Sequence, residues 1–428
     1  MTVEIFPKTD QRVEFDGLRL SERYGTRFFE LAQRVIEIEN LPGKISSTRF
    51  NFNFHDSPID GKPEAFLEVN RRLGRERPTR GMESTICLPN FPKDVIVPRI
   101  ITIESPESNA LFAGRWTVRK DGIFFVPTRL DTGVPVQTDI GELTRQLVRL
   151  PQFLAILNPL DELEFKMFIT DLIRDPGIKL QEAIWQSTLR TIPRTQLDVH
   201  HVKTDDKDNP FGRYPEDKNN LKLEGIDFER CDTLIFCDPF ASGMQLCKAL
   251  EEHLGKIREN NGGRHNIKHL VIFAPLATLE GASIIAYLAC ENGIQTTIFS
   301  SAAILHARLP QMYWCPPFKG QEHLVVNPKL LKLIEITEGE SNAYYLDRWC
   351  DWAAKRISPP QALRASEEFE LNSLGLTNQM FLDRARKLIP KQIRELGLNP
   401  VDFVSLATIK EAVYTHKEEG LIKFISGL

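Results

Sequence analysis

Short apolar runs alternate with amphipathic segments between residues 140 and 325, and this alternation limits the folds open to the chain. Strand-like runs occur at Thr233–Cys237, Leu270–Ala274 and Thr296–Phe299, and helical segments follow the first two at Gly243–Ile257 and Ala282–Asn292. Strands that alternate with helices of about 10–15 residues indicate a parallel sheet. The nearly unbroken apolar strands fit burial on both sides. We therefore predict an α/β fold, with a mostly parallel sheet and helices on both of its faces.

The remaining sequence fits a chain of two or three domains, since it has 428 residues. Residues 1–140 mix strand-like runs with Pro and Gly, and we predict an N-terminal α+β region of unknown role there. Residues 141–326 form the α/β domain. Residues 327–428 have a helical pattern without a catalytic motif, so we predict a helical C-terminal region for packing or oligomerisation. A homodimer is kept open.

Four further segments of the α/β domain have secondary-structure signals, and two of them fit more than one structure. Gly141–Leu157 has the leucine spacing of one helix. Phe165–Ile173 fits either a strand or a buried helix, and Leu197–Val202 fits a strand. The polar segment Thr204–Asn220 is rich in Asp, Asn and Pro, so it is either a surface hairpin or a mobile active-site flap.

Composition excludes several classes of protein. The formal net charge of −4 gives no basic excess, which argues against a nucleic-acid partner. The seven cysteines include no CxxC pair, so neither a disulfide framework nor a zinc site is expected, and a reducing cytoplasmic location is favoured. The first residues lack an apolar signal core, and no run of about 18 apolar residues predicts a membrane span.

The most informative chemical signal follows the strand Thr233–Cys237. Asp238 ends this strand, the small residues Ala241-Ser242-Gly243 form a turn, and an amphipathic helix follows. Backbone N–H groups and the positive end of a helix dipole hold phosphate well. The alternative is structural, because Asp238 or Ser242 could simply cap the helix. We predict a phosphate-binding loop, with Asp238 available for sugar hydroxyls or a metal.

Five motifs occur in an order that resembles the type I phosphoribosyltransferases, most closely the uracil phosphoribosyltransferase branch. The resemblance covers residues 166–326. The first motif is Ile173-Arg174-Asp175-Pro176-Gly177, and the second is the strand LDVHHV with the loop GRYPED that follows it. The third is DPFASGM, the fourth is APLATLEG, and the fifth is the segment Tyr313 to Gly320. The motifs follow one another with family-like gaps, which makes the set more specific than any one motif.

The resemblance implies a substrate, 5-phosphoribosyl 1-pyrophosphate (PRPP), with Mg²⁺ bound through it rather than in a separate protein site. Asp238 would hold ribose hydroxyls, and Arg174 with the backbone near Gly177 would face pyrophosphate. Arg213 or Lys203 would neutralise the leaving group. The 5′-phosphate would lie on the loop residues Ala241, Ser242, Gly243, Met244 and Gln245. Arg174 could instead form a surface ion pair.

Tyr313, Trp314 and Pro316 stand in the segment that covers the acceptor base in the family. Here this segment lacks the family's Gly-Leu-Gly-Asp run, so the resemblance implies an acceptor other than plain uracil. The two aromatic residues could equally fill a core. The family's second glycine is replaced by Met244, and the loop from Asp238 to Gly243 is one residue shorter.

The sequence therefore favours an enzyme that transfers phosphoribose from PRPP to a nucleobase-like small molecule. Two alternatives stay open. One is a non-catalytic protein that senses PRPP or a nucleotide, and the other is a partner-binding protein on the same fold.

Overall fold

The computed structural model describes residues 15–39, 53–56, 80–85, 98–105, 107–108, 111, 115–119, 122–126, 134–157, 163–172, 178–218, 220–301, 304–308 and 313–315. These residues fall into two compact units. The first unit contains the described residues from 15 to 105 and from 141 to 315, and the second contains those from 106 to 140. The predicted helical region 327–428 lies outside the described residues.

The secondary structure alternates as predicted along the α/β part of the chain. The helices are α1 (Gly17–Tyr24), α2 (Phe28–Glu39), α3 (Val134–Leu147), α4 (Pro151–Ile156), α5 (Leu163–Lys166), α6 (Leu180–Thr188), α7 (Met244–Asn260) and α8 (Leu279–Glu291). The strands are β1 (Asn53–Asp56), β2 (Arg80–Thr85), β3 (Arg99–Glu104), β4 (Arg115–Arg119), β5 (Gly122–Val126), β6 (Met167–Leu172), β7 (Arg194–Leu197), β8 (Val199–Lys203), β9 (Arg213–Asp217), β10 (Thr233–Cys237), β11 (His269–Ala274), β12 (Gln295–Ser300), β13 (His306–Arg308) and β14 (Tyr313–Cys315).

An eight-stranded sheet forms the centre of the first unit, in the order β1-β2-β3-β12-β11-β10-β6-β7. The six strands from β3 to β7 in this order pair with one another in parallel, whereas the pairs β1–β2 and β2–β3 are antiparallel. The prediction of an α/β fold with a mostly parallel sheet is confirmed. Three of the strands come from residues 53–104, so the region predicted to be separate supplies part of this sheet. The domain limits at residues 140 and 326 stay a prediction.

Both faces of the sheet are buried by helices. Alternate residues of a strand point to opposite faces, and Ile235 and Phe236 of β10 are both fully buried. Phe236 belongs to a large apolar cluster that includes residues of α2, α7 and α8. On the other face, Phe299 of β12 packs edge-on against Phe153 of α4, with ring centroids 5.5 Å apart. The predicted helices on both faces are therefore present.

The secondary structure of three predicted segments is not determined by the periodicity of each segment alone. The predicted helix 141–157 is divided, because Pro151 begins α4 and Leu150 before it has an extended backbone at ψ 135°. The ambiguous segment 165–173 contains the strand β6. The predicted strand 197–202 is two strands: β7 joins the main sheet, and β8 pairs with β9 in an antiparallel hairpin. The polar segment 204–220 is thus part of a hairpin.

The second unit is described by two elements. Strands β4 and β5 form an antiparallel hairpin, with Arg115 paired to Val126. Helix α3 spans the division between the units at residues 140 and 141. Among the described helices, none combines the length and the apolar character needed to cross a membrane.

Candidate functional site

The candidate site lies at the carboxyl ends of β6 and β10, which are neighbours in the sheet. The chain leaves β6 toward β7 on one side and leaves β10 toward β11 on the other side. Such a reversal of strand order opens a crevice at the carboxyl ends of the two strands. The topology therefore places the loop after β10 where parallel α/β sheets bind their ligands.

Asp238 occupies the first position after β10 and is almost completely buried, with 1% of its surface exposed. Its backbone N–H donates to the carbonyl oxygen of Phe273 on β11 at 3.2 Å, so the strand pairing extends to this residue. Asp238 is not the cap of the following helix, because the N-cap of α7 is Gly243. The carboxylate is thus held at the edge of the sheet rather than used by the helix.

The loop between Asp238 and α7 is shaped by a small set of local contacts. Gly243 has a left-handed backbone with φ 75° and provides no side-chain cap. The hydroxyl of Ser242 accepts the Met244 N–H at 3.2 Å, so part of the predicted capping role of Ser242 is realised. Met244 is fully buried in the apolar core. A side chain at this position is accommodated because it points away from the loop surface and into the core.

A second loop, between β11 and α8, packs directly against the first. A Cβ added to Gly281 would lie 2.9 Å from the Phe240 ring, 3.0 Å from the Gly243 nitrogen and still closer to the Ala241 oxygen. A Cβ added to Gly243 would lie 2.9 Å from the Gly281 oxygen. These separations are below ordinary contact, so each position requires glycine for the two loops to approach.

Thr278 connects the two loops through its hydroxyl. It is the N-cap of α8 and is fully buried. Its Oγ1 accepts the Gly281 N–H at 3.0 Å and donates to the carbonyl oxygen of Ala241. Backbone bonds add to this link, because Phe240 N–H donates to the Leu276 oxygen at 2.9 Å. The loop after β10 is therefore held from the side of α8.

The hairpin β8–β9 packs against α7 and is joined to the loop through Gln245. The side-chain amide of Gln245 donates to the carbonyl oxygen of Val199, the first residue of β8. Arg213 lies at the other end of the hairpin, where it pairs with Lys203. Four residues separate these two levels of the hairpin, a distance of about 13 Å at the usual rise per residue. The predicted contact between Arg213 and a leaving group stays a prediction.

The connection of the hairpin is tied to α1. Asp206 accepts hydrogen bonds from Arg23 and from the Tyr24 hydroxyl, the latter at 2.8 Å. The hydrogen bond from Arg23 is the main cause that lowers the pKa of Asp206, and the bond from Tyr24 adds to it. The Tyr24 ring also stacks on Tyr214, with centroids 4.5 Å apart. Phe211 packs edge-on against Phe28 at 5.4 Å. This anchoring joins the hairpin connection to α1, and the role of this segment as a mobile active-site flap stays a prediction.

His253 fixes the body of α7 to the sheet. Its Nδ1 lies 2.7 Å from the Ala249 carbonyl oxygen, which can only accept, so Nδ1 carries the proton. Its Nε2 then accepts from the Thr170 hydroxyl of β6 at 2.8 Å. Burial lowers the pKa of His253 to about 4, so the ring is neutral at pH 7. Sequence patterns give no signal for this role of His253.

Cysteine chemistry is not favoured near the site. Burial raises the pKa of Cys231 to about 12, and it also raises the pKa of Cys247 well above its ordinary value. A thiol acts as a nucleophile in its thiolate form, which is scarce at such pKa values. Cys237, directly before Asp238, is buried within β10 and packs as a small apolar residue.

Several predicted site residues cannot be placed by side-chain contacts. Arg174, Gly177 and Pro316 lie outside the described residues. Tyr313 and Trp314 belong to β14, which pairs with β13, and their backbone alone is described. Their predicted roles in binding pyrophosphate and an acceptor therefore stay predictions.

An open cavity of about 580 Å³ lies at the opposite, amino end of the sheet. Lys166, Asp232 and Lys268 line it where β6, β10 and β11 begin, together with Arg230. The lining mixes acidic and basic side chains, and Arg230 is placed 4.2 Å over the Phe165 ring. Because ligands of such sheets bind at the carboxyl ends of the strands, the Asp238 loop is the better candidate.

Thr278 is the main site residue that the sequence analysis did not single out. The motif APLATLEG was recognised as a loop, but its Thr was given no role. A Thr directly before a helical run is a common N-cap signal, and Thr278 precedes α8 in this way. That signal predicts the bond to Gly281, whereas the bond to Ala241 depends on the meeting of two loops.

No protein-family model matches this chain, and neither does any curated protein. A search of solved structures found an adenine phosphoribosyltransferase from Trypanosoma brucei, solved in complex with AMP, pyrophosphate and ribose-5-phosphate. It is similar to this chain at 12% sequence identity, over 47% of this chain and 83% of that one, with a TM-score of 0.26. Values this low carry no argument about the present protein.

Proposed function

We propose that the protein binds PRPP at the carboxyl edge of its sheet and transfers the phosphoribosyl group to a nucleobase-like acceptor that is not plain uracil. The observation that carries this proposal is the loop Asp238–Gly243. It combines a buried acid at the topological switch point with a glycine-shaped turn at the N-terminus of a long helix. The ordered motifs from residue 173 to residue 320 motivated the choice of substrate.

The 5′-phosphate of the substrate would lie on the backbone of residues 241–245. The first N–H groups of a helix have no partner within it, and the helix dipole adds a positive potential there. In α7 the N-cap Gly243 contributes no side-chain acceptor of its own. The missing Cβ of Gly243 faces Gly281, so α8 packs directly against the turn and supports its shape. These features support binding of a phosphate dianion.

Asp238 would hold the ribose hydroxyls beside the phosphate. When pyrophosphate leaves, the sugar develops oxocarbenium character, so a fixed carboxylate close to the ring stabilises the transition state. Burial of Asp238 strengthens this electrostatic effect, because the local dielectric is lower than in water. Binding of the 5′-phosphate and of the ribose hydroxyls at the same time fixes the geometry of the reaction. The attachment of the loop to α8 keeps these two binding groups in place.

Mg²⁺ fits this site as an ion that arrives with the substrate. The donor set on the protein side is oxygen, from the Asp238 carboxylate, and Mg²⁺ is commonly bound by one or two carboxylates together with phosphate oxygens. Bound in that way, the ion supplies charge neutralisation for the pyrophosphate oxygens. The protein's own contribution is to position the sugar and the 5′-phosphate.

The remaining roles complete the proposal. Arg174, the backbone at Gly177 and Arg213 would neutralise the departing pyrophosphate. Tyr313, Trp314 and Pro316 would contact the acceptor. An arginine suits pyrophosphate because its planar guanidinium donates two parallel hydrogen bonds.

The test is a pyrophosphate-release assay with the intact chain, PRPP, Mg²⁺ and a panel of nucleobases. We expect Asp238→Asn to lower the rate by roughly 100-fold or more, the size typical of a lost electrostatic contact in a transition state. The control is Asp232→Asn at the other end of β10, where Oδ1 accepts from the Thr233 hydroxyl at 2.8 Å. Equal rates in Asp238→Asn and wild type would remove Asp238 from the mechanism, and a wild type that does not bind PRPP would end the proposal.

A second candidate function is binding of PRPP or a nucleotide without turnover. It is favoured by one observation, the anchoring of the hairpin connection to α1 through Asp206 and Tyr24. A tethered hairpin closes less readily over a substrate than a mobile flap does. Saturable PRPP binding without pyrophosphate release across the panel would support this candidate, and release would exclude it.

A further inference from the structure

The hydroxyl of Thr278 has two partners that belong to different elements. It accepts from the Gly281 N–H, which caps α8, and it donates to the Ala241 carbonyl, which belongs to the loop after β10. With both roles filled, the orientation of this hydroxyl is fixed on both sides. Thr278 is fully buried and Ala241 is half-buried. Its bond to Ala241 spans 37 positions of the sequence and thus has no local origin.

The bond to Ala241 determines the direction of the next amide. In a trans peptide the C=O and the following N–H point in opposite directions. The Ala241 carbonyl points to Thr278 at the start of α8, so the Ser242 N–H points away from α8. Ser242 is one of the residues proposed to hold the 5′-phosphate. One hydroxyl on α8 therefore orients a phosphate-binding amide on the neighbouring loop.

Other contacts hold the path of the chain, while Thr278 donates the side-chain hydrogen bond to the Ala241 carbonyl. Phe240 forms a parallel bridge with Ala277, and Thr278 forms another with Leu305. Gly281 allows the Ala241 oxygen to come close to α8. These contacts set the distance between the loops. Without the hydroxyl, the Ala241 carbonyl would lose this donor, and the peptide would turn to find another.

We propose that Thr278 is a positioning residue of the phosphate loop: it sets the orientation of the Ser242 amide by holding the Ala241 carbonyl. The inference rests on the proposed function in one respect, the identity of the ligand as a sugar phosphate. The orientation itself is a property of the ligand-free protein and can be measured without any ligand.

The first experiment measures the orientation in the ligand-free, full-length protein by NMR. Labelling alanine at the carbonyl carbon and serine at the amide nitrogen selects Ala–Ser pairs, of which the chain has three, at 241–242, 282–283 and 365–366. Thr278→Val, which keeps the shape and removes the hydroxyl, is expected to shift the Ala241 carbonyl and Ser242 amide signals. Thr278→Ser restores the hydroxyl and should leave them close to their wild-type positions. An unchanged signal in Thr278→Val would overturn the proposal.

The second experiment measures affinity by calorimetry with ribose 5-phosphate and, separately, with pyrophosphate. Thr278→Val is expected to weaken ribose 5-phosphate binding roughly 10- to 100-fold, the loss expected for one misplaced hydrogen bond to a charged group. Pyrophosphate binding should change less than about twofold, because it is assigned to the loop at residues 173–177. Thr278→Ser is expected to bind ribose 5-phosphate within about threefold of wild type, because its hydroxyl can make the same two bonds.

The matched control is Ser283→Ala. Ser283 is also a buried hydroxyl of α8, and it donates to the Leu279 carbonyl at 2.8 Å. A purely structural role for Thr278 predicts that Ser283→Ala and Thr278→Val both lower the melting temperature while ribose 5-phosphate affinity stays at the wild-type value. If Thr278→Val does not fold, loss of affinity in the folded Thr278→Ser variant would contradict the proposal. A wild type that fails to bind ribose 5-phosphate overturns the proposed function, and the NMR result still decides the role of Thr278.

Discussion

Helices α7 and α8 begin beside each other, but their first turns are satisfied in different ways. At α8, Thr278 accepts the Gly281 N–H, and the Leu279 N–H donates to the Leu305 carbonyl at 2.8 Å. At α7, the N-cap Gly243 has no side-chain acceptor, and Ser242 receives the Met244 N–H. The start of α8 is thus bonded to two other segments, the loop at Ala241 and the segment at Leu305. The start of α7 is shaped but less enclosed, which is the arrangement that a ligand site needs.

The difference also explains the choice of residues at the contact between the two helices. Gly281 lies in the first turn of α8, where glycine is normally unfavourable. Its lack of a side chain admits the Ala241 carbonyl and the Gly243 backbone. Gly243 in turn provides the left-handed turn that starts α7. The start of α8 therefore supports the start of α7, and variants at Gly281 and Gly243 can test this dependence.

The largest effect is expected for Gly281→Ala. The new Cβ would press on the Ala241 oxygen and lie 3.0 Å from the Gly243 nitrogen, and neither backbone can move far within a packed contact. We expect unfolding free energy to fall by about 3 kcal/mol or more, with loss of ribose 5-phosphate binding. Chemical denaturation and calorimetry measure the two effects.

Gly255→Ala is the control for Gly281→Ala, since Gly255 lies in the interior of α7 with open space at the position of a Cβ. It should stabilise the protein by up to about 1 kcal/mol through helix propensity. Wild-type stability in Gly281→Ala would show that the two loops do not pack as closely as the contact requires.

A smaller effect is expected for Gly243→Ala, at about 2 to 3 kcal/mol. Two costs combine here: a φ of 75°, and a Cβ 2.9 Å from the Gly281 oxygen. Gly262→Ala separates them, because Gly262 has a φ of 57° with open space around it, so it should lose only about 1 kcal/mol. Denaturation of the two variants gives the packing cost as their difference. Equal losses would mean that the contact with α8 contributes nothing.

The features that sequence could predict are local. The strands β10, β11 and β12 were predicted because continuous apolar runs are characteristic of buried parallel strands. Asp238 and Gly243 were predicted as part of a loop because an acid and small residues between a strand and a helix form a recognisable pattern. A surface hairpin was one of two stated alternatives for residues 204–220, since this polar, Pro-containing segment fits a turn.

The features that escaped depend on contacts between distant segments. The bond from Thr278 to Ala241 joins two loops, and the bond from Tyr24 to Asp206 spans 182 positions. Neither is encoded in a period or a short motif. The division of 197–202 into β7 and β8 also escaped, because consecutive strand residues can join different sheets without a change in pattern. Hydrophobic periodicity indicates which residues of a segment are buried. The strand partners and hydrogen-bond partners of that segment depend on how the whole unit packs.

The smallest effect is expected for His253, which holds the body of α7 against the sheet. His253 accepts from Thr170 of β6 and is neutral in the folded protein, with a pKa of about 4. In the unfolded chain the imidazole binds a proton near pH 6.5. Between these values the unfolded state holds more protons, so stability falls as the pH is lowered from about 6.5 to 4 and is restored above 6.5. The expected loss is about 2 kcal/mol between pH 7 and pH 5.

Urea denaturation across this pH range tests the role of His253. His253→Gln should be less stable than wild type at pH 7. Between pH 4 and pH 6.5, its unfolding should take up nearly one proton fewer than the unfolding of wild type, so its stability should depend less on pH. If His253→Gln kept the same dependence, the imidazole would be protonated equally in the folded and unfolded states. In that case another contact would have to hold α7 against β6. A neutral, buried His253 is the feature that distinguishes α7 from a helix held by apolar contacts alone.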